Sequence, residues 1–360
     1  MKFAIDGDRL AAATGAVVRA LPRQHAVPAL AGIRLRLLGD GLHLGATDLD
    51  LSVSTDVEVA GRTDGTALAP GKMLVDIAKA MPAGRVSVSH EDGHLEVAGG
   101  RTLFRVRCLD VDDWPEPRLP EAAPVEVDAA ALCSGLRRVV VAAATDDSRP
   151  ILTGVHVESE AGALRLVATD SYRLALTDIP GLPLLKEQAI VPARALSELL
   201  RLAGTADVVG VATDETSAAF FAGASVLVTR LIEGEFPNYR QLIPTSPAST
   251  LTVSGEDLHD ALDRVGLVAG AGHVVTLTLR SDEVDLHAAT LEVGSAGESL
   301  TASYDGPELR VSFNGVFLRD ALTCLGSGKL RLRIIDTLKP VVVAGELEGT
   351  SYVVMPVRTP

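Results

Sequence analysis

The feature that most restricts the fold of this chain is an internal repeat, in which one succession of elements occurs three times. The sequence of each third predicts a helix, a strand hairpin, a second and shorter helix, and a further hairpin. An apolar segment precedes the second helix of each third, and we expect it to open that helix: residues 68–70, 190–192 and 311–314. Strands are predicted after these helices, at residues 85–88, 208–211 and 330–333. Each copy is longer than the ~20–50-residue units of solenoids and propellers, so three small, similar domains are predicted.

The first helix of each third has apolar residues at steps of three and four, which place one apolar stripe along a helix. The stripes are Leu10, Ala13, Val17 and Leu21; Leu132, Leu136, Val139 and Ala143; and Leu258, Ala261, Val265 and Val268. Asp8, Asp128 and Ser254 lie where N-caps are expected. Alternating polar and apolar residues predict antiparallel hairpins with one buried face, at residues 33–44, 155–166 and 276–287. The expected fold class is therefore α+β.

Two proline-rich segments separate the three copies. One runs from Trp114 to Pro124 and the other from Pro244 to Ser249. Proline fixes φ and cannot donate to a strand ladder, so both segments are predicted to be extended connectors. We expect domains at residues 1–119, 124–245 and 249–360.

The charge of the chain excludes a protein that holds nucleic acid through a positive field over its whole surface, because 33 Lys and Arg face 47 Asp and Glu, a net charge of −14. Local basic faces, or enclosure, would be needed instead. Basic residues recur on the predicted helices, opposite the apolar stripes: Lys72, Lys79, Arg137, Arg138, Arg194, Arg201, Arg264 and Arg319. Arg23 and Arg149 follow the first helices of their copies. These residues form either ordinary solvated helix faces or one shared face that contacts phosphates.

Catalytic and metal-binding motifs are weak. The string from His90 to His94 fits H-E-x-x-H, which would make a metal-dependent hydrolase the alternative function, but that motif needs a helix. Here Asp92-Gly93 between alternating apolar residues predicts a hairpin turn. The repeated pairs Thr47-Asp48 and Thr169-Asp170 are interpreted as turn residues rather than catalytic acids. The sequence contains no P-loop string and no C-x-x-C, so we expect no cofactor, no metal and no enzyme.

Membrane insertion and secretion are not expected either. No apolar run approaches the ~18 residues of a membrane span, and the first residues lack a secretory signal. Cys108, Cys133 and Cys324 are few and widely spaced, which is typical of a reducing compartment. A cytoplasmic location is expected.

Four ordered motifs resemble the bacterial DNA polymerase III β sliding clamp family: residues 149–154, 168–175, 235–240 and 352–358. The similarity spans the whole chain and includes residues 27–30. It implies three DNA-clamp domains per chain and a head-to-tail homodimer that closes a ring around double-stranded DNA, with helices lining the hole and antiparallel sheets outside. It also implies a non-catalytic processivity factor that tethers DNA polymerase III and other replication and repair proteins, and that a separate clamp loader opens.

The resemblance places a peptide-binding pocket between the second and third domains. Its residues would be Leu152, Thr169, Ser171, Tyr172, Arg173, Leu174, Pro237, Arg240, Gln241, Leu242, Asn314, Phe317, Leu338, Pro340, Val353, Val354, Met355, Pro356, Val357 and Arg358. Such an apolar slot with a polar rim fits the Leu and Phe anchors of an extended clamp-binding peptide, as carried by the polymerase III α subunit and the clamp loader. Burial of two anchors would contribute about 3–6 kcal/mol before entropic costs.

The resemblance also implies a DNA-facing set and a subunit interface. Gln24 joins the basic residues above on the DNA side. The interface would use Lys72, Arg101, Phe104 and Val106 of one chain with Leu267 and Glu298 of its partner. Residues 101–107 are basic, whereas the third domain offers Asp257, Asp260, Asp263, Glu292 and Glu298, and such opposite charges orient and speed association.

Three positions depart from the family pattern. Ser171 and Tyr172 replace the Gly-His of many members, which predicts a bulkier pocket mouth. The chain ends Arg358-Thr359-Pro360 without the usual closing Leu, and the loop at residues 269–273 lacks a Lys or Arg side chain. One hypothesis follows besides the ordinary clamp: a diverged second copy whose pocket resists a peptide inhibitor. A separate alternative, which does not depend on these departures, is an interaction scaffold that dimerises without encircling DNA.

Overall fold

The computed structural model describes residues 1–24, 27–182, 188–204 and 206–358. The chain divides into two compact units. Unit 1 comprises residues 1–130 and 194–231, and unit 2 comprises residues 131–193 and 232–360. The predicted domain boundaries remain predictions. None of the helices in the described ranges is long and apolar enough to span a membrane.

The first third of the chain contains two helices and nine strands in its described residues. They are β1 (Lys2–Asp6), α1 (Gly7–Val17), β2 (Gly32–Leu38), β3 (Gly41–Thr47), β4 (Leu51–Glu58), β5 (Ala60–Thr63), β6 (Gly65–Pro70), α2 (Gly71–Ala80), β7 (Arg85–Glu91), β8 (His94–Gly99) and β9 (Thr102–Arg107). A short 3-10 helix, Pro28–Ala31, precedes β2.

The later thirds repeat this order. The second has β10 (Val125–Asp128), α3 (Ala129–Val139), β11 (Gly154–Glu160), β12 (Ala163–Thr169), β13 (Arg173–Pro180), β14 (Ala189–Pro192), α4 (Ala193–Leu202), β15 (Val208–Thr213), β16 (Ser217–Ala222) and β17 (Ser225–Arg230). The third has β18 (Ser249–Ser254), α5 (Gly255–Gly266), β19 (Val274–Leu279), β20 (Glu283–Thr290), β21 (Gly294–Tyr304), β22 (Leu309–Asn314), α6 (Gly315–Leu325), β23 (Lys329–Ile334), β24 (Val341–Ala344) and β25 (Thr350–Val354).

Most sequence predictions of these elements are confirmed, with corrections at the helix ends. Segments 68–70, 190–192 and 311–314 do not open helices, because they are the last residues of strands β6, β14 and β22. Asp6, not Asp8, caps α1, since its carboxylate accepts the Asp8 N–H at 3.0 Å. Ser254 caps α5 as predicted. The stripe residues are buried except Val268, which lies beyond the end of α5 and is half-buried.

Unit 1 is built on two antiparallel sheets. Strands β5-β1-β7-β8-β9 form one, and β10-β15-β16-β17-β4-β3-β2-β6 form the other. The second sheet joins two repeats, because β17 of the second pairs with β4 of the first, with Leu227 opposite Val53. Helices α1 and α2 pack against each other, and the buried Leu10 lies among the core side chains of the unit. The continuous sheet explains why unit 1 contains parts of two repeats.

Unit 2 contains one antiparallel sheet of twelve strands in the order β14-β11-β12-β13-β25-β24-β23-β18-β21-β20-β19-β22. Here β13 of the second repeat pairs with β25 of the third. Helices α5 and α6 pack against each other. The sheets of both units confirm the predicted α+β class.

Candidate functional site

The predicted pocket residues of unit 2 meet where strands β13 and β25 pair. Arg173 lies opposite Val354 and Leu174 opposite Val353. Beyond the ladder, the Met355 N–H donates to the Tyr172 carbonyl at 2.9 Å. These backbone bonds bring segments 169–174 and 353–357 together, although about half of the chain separates them in sequence.

An apolar cluster lies beneath this junction. Leu174 and Val353 pack with Val167, Leu176, Tyr239 and Val342, and the half-buried Phe236 and Ile243 lie against them. Leu152 and Val354 are also buried. The sequence interpretation omitted Tyr239, Ile243 and Val342 from the pocket set. The continuous apolar run of β24, Val341–Ala344, is the signal that could have found Val342, and the position beside Arg240 is the signal for Tyr239.

Exposed apolar side chains surround the same junction. Tyr172 is 65% exposed and Leu338 is 56% exposed. Pro237, Gln241, Leu242 and Arg358 are exposed, whereas Pro340, Met355, Pro356 and Val357 are half-buried. Residues 359–360, on which the prediction about the tail falls, lie outside the described residues. The predicted set thus includes both buried floor residues and exposed rim residues.

Arg173 connects the two sides of the junction. Its Nε donates to Asp170 Oδ2 at 3.0 Å, and its Nη1 donates to Asp320 Oδ2 of α6 at 2.5 Å. The guanidinium lies 4.5 Å from the centre of the Phe317 ring. Only 10% of the Arg173 side chain is exposed. Its charge is therefore used within the chain to fix α6 against β13.

A tight turn positions the pocket mouth. Asp170 Oδ1 accepts the N–H groups of Tyr172 and Arg173, both at 2.9 Å, and Thr169 Oγ1 accepts the Ser171 N–H at 3.2 Å. Ser171 has a φ of +79°, a conformation that favours glycine. The first repeat has the same turn, in which Asp48 accepts two N–H groups. The turn role predicted for both Thr-Asp pairs is confirmed.

Arg240 lies in a charged cluster beside Tyr239, with its guanidinium 4.7 Å from the centre of that ring. It binds Glu160 and, at 2.8 Å, Glu158 of β11, which also accepts the Tyr239 hydroxyl. Burial, together with the bond to Glu158, raises the pKa of Tyr239 to about 12. Burial also opposes the charged form of Glu158, but the Tyr239 hydrogen bond and the Arg240 charge outweigh it and lower its pKa. Burial lowers the pKa of the neighbouring His156. These ion pairs hold the Arg240 guanidinium against β11.

Asn314 has a structural role that the pocket prediction did not include. Its side-chain oxygen accepts the Val316 N–H at 2.9 Å and so caps α6, the helix that carries Phe317 and Asp320. A cap of this kind contributes about 1 kcal/mol.

Some of the predicted DNA-facing residues of unit 1 contact an acid of the chain, and others form no ion pair with the residues that the structure describes. Arg194 binds Asp48, and Arg201 Nε donates to Glu198 at 2.9 Å. Arg23 and Lys72 both line one cavity of about 290 Å³ beside the start of α2. Lys79 and Gln24 are exposed.

The DNA-facing residues of unit 2 show the same division. Arg264 makes a two-bond contact with Glu298, at 2.9 and 2.6 Å, and Arg319 lies 3.4 Å from Asp263. Arg138 donates to Ser134 at 3.0 Å, and Arg149 donates to Ser171 at 2.9 Å. Arg137 is exposed. Intrachain acids therefore neutralise part of the predicted basic surface.

The predicted interface residues lie on strand edges and a helix end. β9 is the edge strand of its sheet, with Phe104 and Val106 half-buried and Arg101 exposed. Leu103, which the sequence prediction omitted, is 63% exposed on the opposite face of β9. Leu267 follows α5 and is 82% exposed. Glu298 lies in β21, whose residues 294–300 pair only with β20 among the described strands.

The His90–His94 string forms a hairpin tip rather than a helix. Asp92 and Gly93 have φ values of +48° and +70°, as a type I′ turn requires, and Glu91 pairs with His94 across the ladder. His90 pairs with Leu95, so the two imidazoles project from opposite faces of the hairpin. The H-E-x-x-H arrangement of a metal-dependent hydrolase is not formed.

Comparison with models of known domain families identifies the family to which this chain belongs. The N-terminal, central and C-terminal domains of the DNA polymerase III beta subunit match residues 1–120, 126–238 and 240–358. The chain belongs to the DNA polymerase III beta subunit family. It is a sliding clamp, and this family comprises processivity factors without catalytic activity.

Similar proteins support the family over the full length. The beta sliding clamp of Streptomyces coelicolor is 31% identical, with 99% of both chains covered. The beta sliding clamp homolog GriR of Streptomyces muensis is 30% identical, again over 99% of both. The crystal structure of a sliding clamp from Bartonella birtlesii bound to griselimycin is 29% identical and covers 100% of both chains with a TM-score of 0.94.

Proposed function

We propose that two copies of this clamp close head to tail into a ring around double-stranded DNA, and that a pocket at the β13–β25 junction binds partner peptides. The partners would be the polymerase III α subunit, the clamp loader and other proteins with Leu/Phe clamp-binding peptides. The cytoplasm is the expected location.

One observation carries the peptide-binding part of this proposal. The pairing of Leu174 with Val353 joins the buried floor from two repeats, while Tyr172 and Leu338 leave apolar surface exposed beside it. Exposed apolar side chains over a buried apolar floor fit an extended peptide with large apolar anchors.

The peptide proposal is tested by fluorescence anisotropy with a labelled Leu/Phe clamp-binding peptide. Leu338→Asp should weaken binding about tenfold or more, because a charge replaces an apolar contact worth roughly 1.5–3 kcal/mol. Leu347→Asp is the matched control, since Leu347 is also an exposed leucine of unit 2 but is not a predicted pocket residue. Equal affinities for both variants would contradict the proposed pocket.

The subunit interface is supported by the free edge of β9 and by the exposed Leu103 and Leu267. Phe104→Asp should give folded monomers in sedimentation. Because Phe104 is half-buried, Leu103→Asp provides a second variant with less risk to folding. Leu38→Asp, at another exposed leucine of unit 1, serves as the control. Dimers in both interface variants would count against this edge.

Ring closure is tested by loading the clamp, with its loader, on nicked circular DNA. A ring should stay on the circle and leave the DNA after the circle is cut. Equal retention on both forms would instead support the interaction scaffold.

A second proposal concerns the altered pocket mouth. The positive φ of Ser171 and the exposed ring of Tyr172 support a pocket that differs from those of other members, as in a diverged copy that resists a peptide inhibitor. Calorimetry would compare the Leu/Phe peptide and griselimycin with the wild type and Ser171→Gly/Tyr172→His. Identical affinities would remove the basis for this idea.

A further inference from the structure

An open groove lies on the exposed face of strands β2, β3 and β4 in the first repeat, apart from the predicted peptide, DNA and interface residues. Its volume is about 820 Å³, within the range of ligand-binding clefts. The lining residues used below are Arg34, Arg36, Leu38, His43, Asp56 and Glu58. They lie on the side of these strands opposite the buried Leu35 and Leu44.

The second repeat contains the same surface in the same register. In the first, Arg36 pairs with His43, which pairs with Asp56. In the second, Glu158 pairs with Arg165, which pairs with Asp178. Arg34 and His156 are both the third residue of their strands, β2 and β11. The two surfaces can therefore be compared residue by residue.

In the second repeat, the following linker covers this face. Phe236 stacks on His156 with ring centres 4.9 Å apart. Tyr239 is buried and donates its hydroxyl to Glu158, and Arg240 binds the same carboxylate. We call Glu158, Arg165 and Asp178, which pair across three strands, the second row of this face, and His156 belongs to the first row. Tyr239 and the adjacent Arg240 thus cover the second row.

In the first repeat, the matching linker covers only the first row, which there contains Arg34, the residue that corresponds to His156. Trp114 takes the place of Phe236 and lies 4.1 Å from the Arg34 guanidinium, while Glu116 binds Arg34. Pro117 and Arg118 stand where Tyr239 and Arg240 stand in the second repeat, and both are exposed. Among the residues that the structure describes, none takes the place of Tyr239 over Arg36 and His43, and the groove remains open.

One charge of the uncovered row, at Arg36, is reversed relative to the second repeat. Arg36 replaces Glu158, and none of the ion pairs in the described part of the chain uses it. His43 Nδ1 is already bound to Asp56 Oδ1 at 2.8 Å. Leu38, in place of Glu160, is 70% exposed. Among the described residues, Arg36 therefore lacks a carboxylate partner and Leu38 lacks an apolar cover. Asp40 and Glu58, which also line the groove, disfavour a ligand with more than one acid.

We propose that this groove is a further docking site, which binds a partner segment that carries a single carboxylate beside an aromatic side chain. The carboxylate would pair with Arg36, and the ring would lie over Leu38 and His43, as Tyr239 lies over the matching row. In the second repeat the chain itself supplies an aromatic ring and the counter-charge for Glu158, and in the first repeat a partner would supply an aromatic ring and the counter-charge for Arg36.

Trp114 provides a local reporter, because it is the single tryptophan of the chain and flanks the groove. The full-length dimer would be titrated with a Gly/Ser peptide that contains one Glu-Tyr pair, and tryptophan fluorescence would be followed. We expect saturable binding that weakens at least tenfold when Lys replaces the peptide Glu or when Ala replaces its Tyr. No saturable change with the Glu-Tyr peptide would overturn the proposal.

Protein variants separate this site from general charge effects. Arg36→Glu should weaken the Glu-Tyr peptide at least tenfold, whereas Arg331→Glu, on the exposed face of β23, should not. Pro117→Tyr/Arg118→Glu should block the groove from the linker itself and abolish binding, while the Leu/Phe peptide keeps its affinity. The assignment would be refuted if Arg36→Glu and Arg331→Glu had equal effects. It would also be refuted if inorganic phosphate or duplex DNA displaced the Glu-Tyr peptide as readily as competing peptide does.

Discussion

Removal of the Arg173 side chain tests the central contact of the proposed peptide site. Arg173→Ala leaves Asp170 and Asp320 without their shared cation, and both carboxylates are mostly buried, with side chains 14% and 24% exposed. Breaking a buried pair by deleting one partner costs about 3–5 kcal/mol. Loss of the contact with Phe317 adds roughly 0.5–2 kcal/mol. Partial exposure reduces the first figure, so we expect a loss of about 3 kcal/mol in the free energy of unfolding.

A double-mutant cycle with Asp320→Asn measures the pair itself. Urea unfolding of the wild type, both single variants and the double variant should give a coupling energy of about 1–2 kcal/mol. Arg173→Lys should recover only part of the loss, because a lysine cannot bind two carboxylates with a planar fork. The affinity for the Leu/Phe peptide should fall with stability, since Tyr172 and Met355 lose their fixed relation. Additive single effects would refute the assigned role of this ion pair.

Three further outcomes are expected from the same unfolding assay. Leu49→Gly should stabilise the chain by up to about 1 kcal/mol, because Leu49 has a φ of +81°; a loss would show that the turn is unstrained. Gly15→Ala should stabilise the chain by about 1 kcal/mol, because alanine favours the helix α1 and its Cβ would meet no neighbour. Gly135→Ala should destabilise the chain by roughly 1–3 kcal/mol, because the added Cβ would clash with the Ile179 side chain. Equal effects of the two substitutions would contradict the packing of Gly135 against Ile179. Burial lowers the pKa of His156, so the unfolded chain binds a proton at this residue more readily than the folded chain does. The free energy of unfolding should therefore decrease as the pH is lowered from about 6.5. His156→Phe should remove this part of the pH dependence.

Local patterns in the sequence predicted the repeated elements well. The apolar periodicity of Leu258, Ala261 and Val265 identified α5, and Ser254 marked its cap. Turn residues fixed the hairpins, as at Asp92-Gly93. These features depend on residues a few positions apart, so one sequence contains the needed information. Asp6 and Asp8 lie close together at the start of α1, and the sequence pattern alone could not show which of them is the N-cap.

Contacts between repeats could not be predicted from such patterns. The pairing of β13 with β25 depends on two strand edges that have no turn between them. Arg173 and Asp320 are 147 positions apart, and Arg194 and Asp48 are 146 apart. Periodicity placed Arg194 on a polar helix face but gave no information on its partner. The resemblance supplied the pocket set, yet only the structure shows that Asn314 caps a helix and Arg240 binds β11.

The paired arginines bear directly on how the proposed ring would hold DNA. Arg194, Arg201, Arg264 and Arg319 each contact an acid of the same chain, and the whole chain has a net charge of −14. An arginine that is already paired gains less from a phosphate, because a new contact must replace an existing one. Phosphate contacts also set the salt dependence of binding. Few net contacts would therefore give weak, salt-tolerant interaction with duplex DNA, and retention would depend on closure at the edges of β9 and β21. Weak attraction inside a closed ring is compatible with sliding, whereas strong local binding would oppose it.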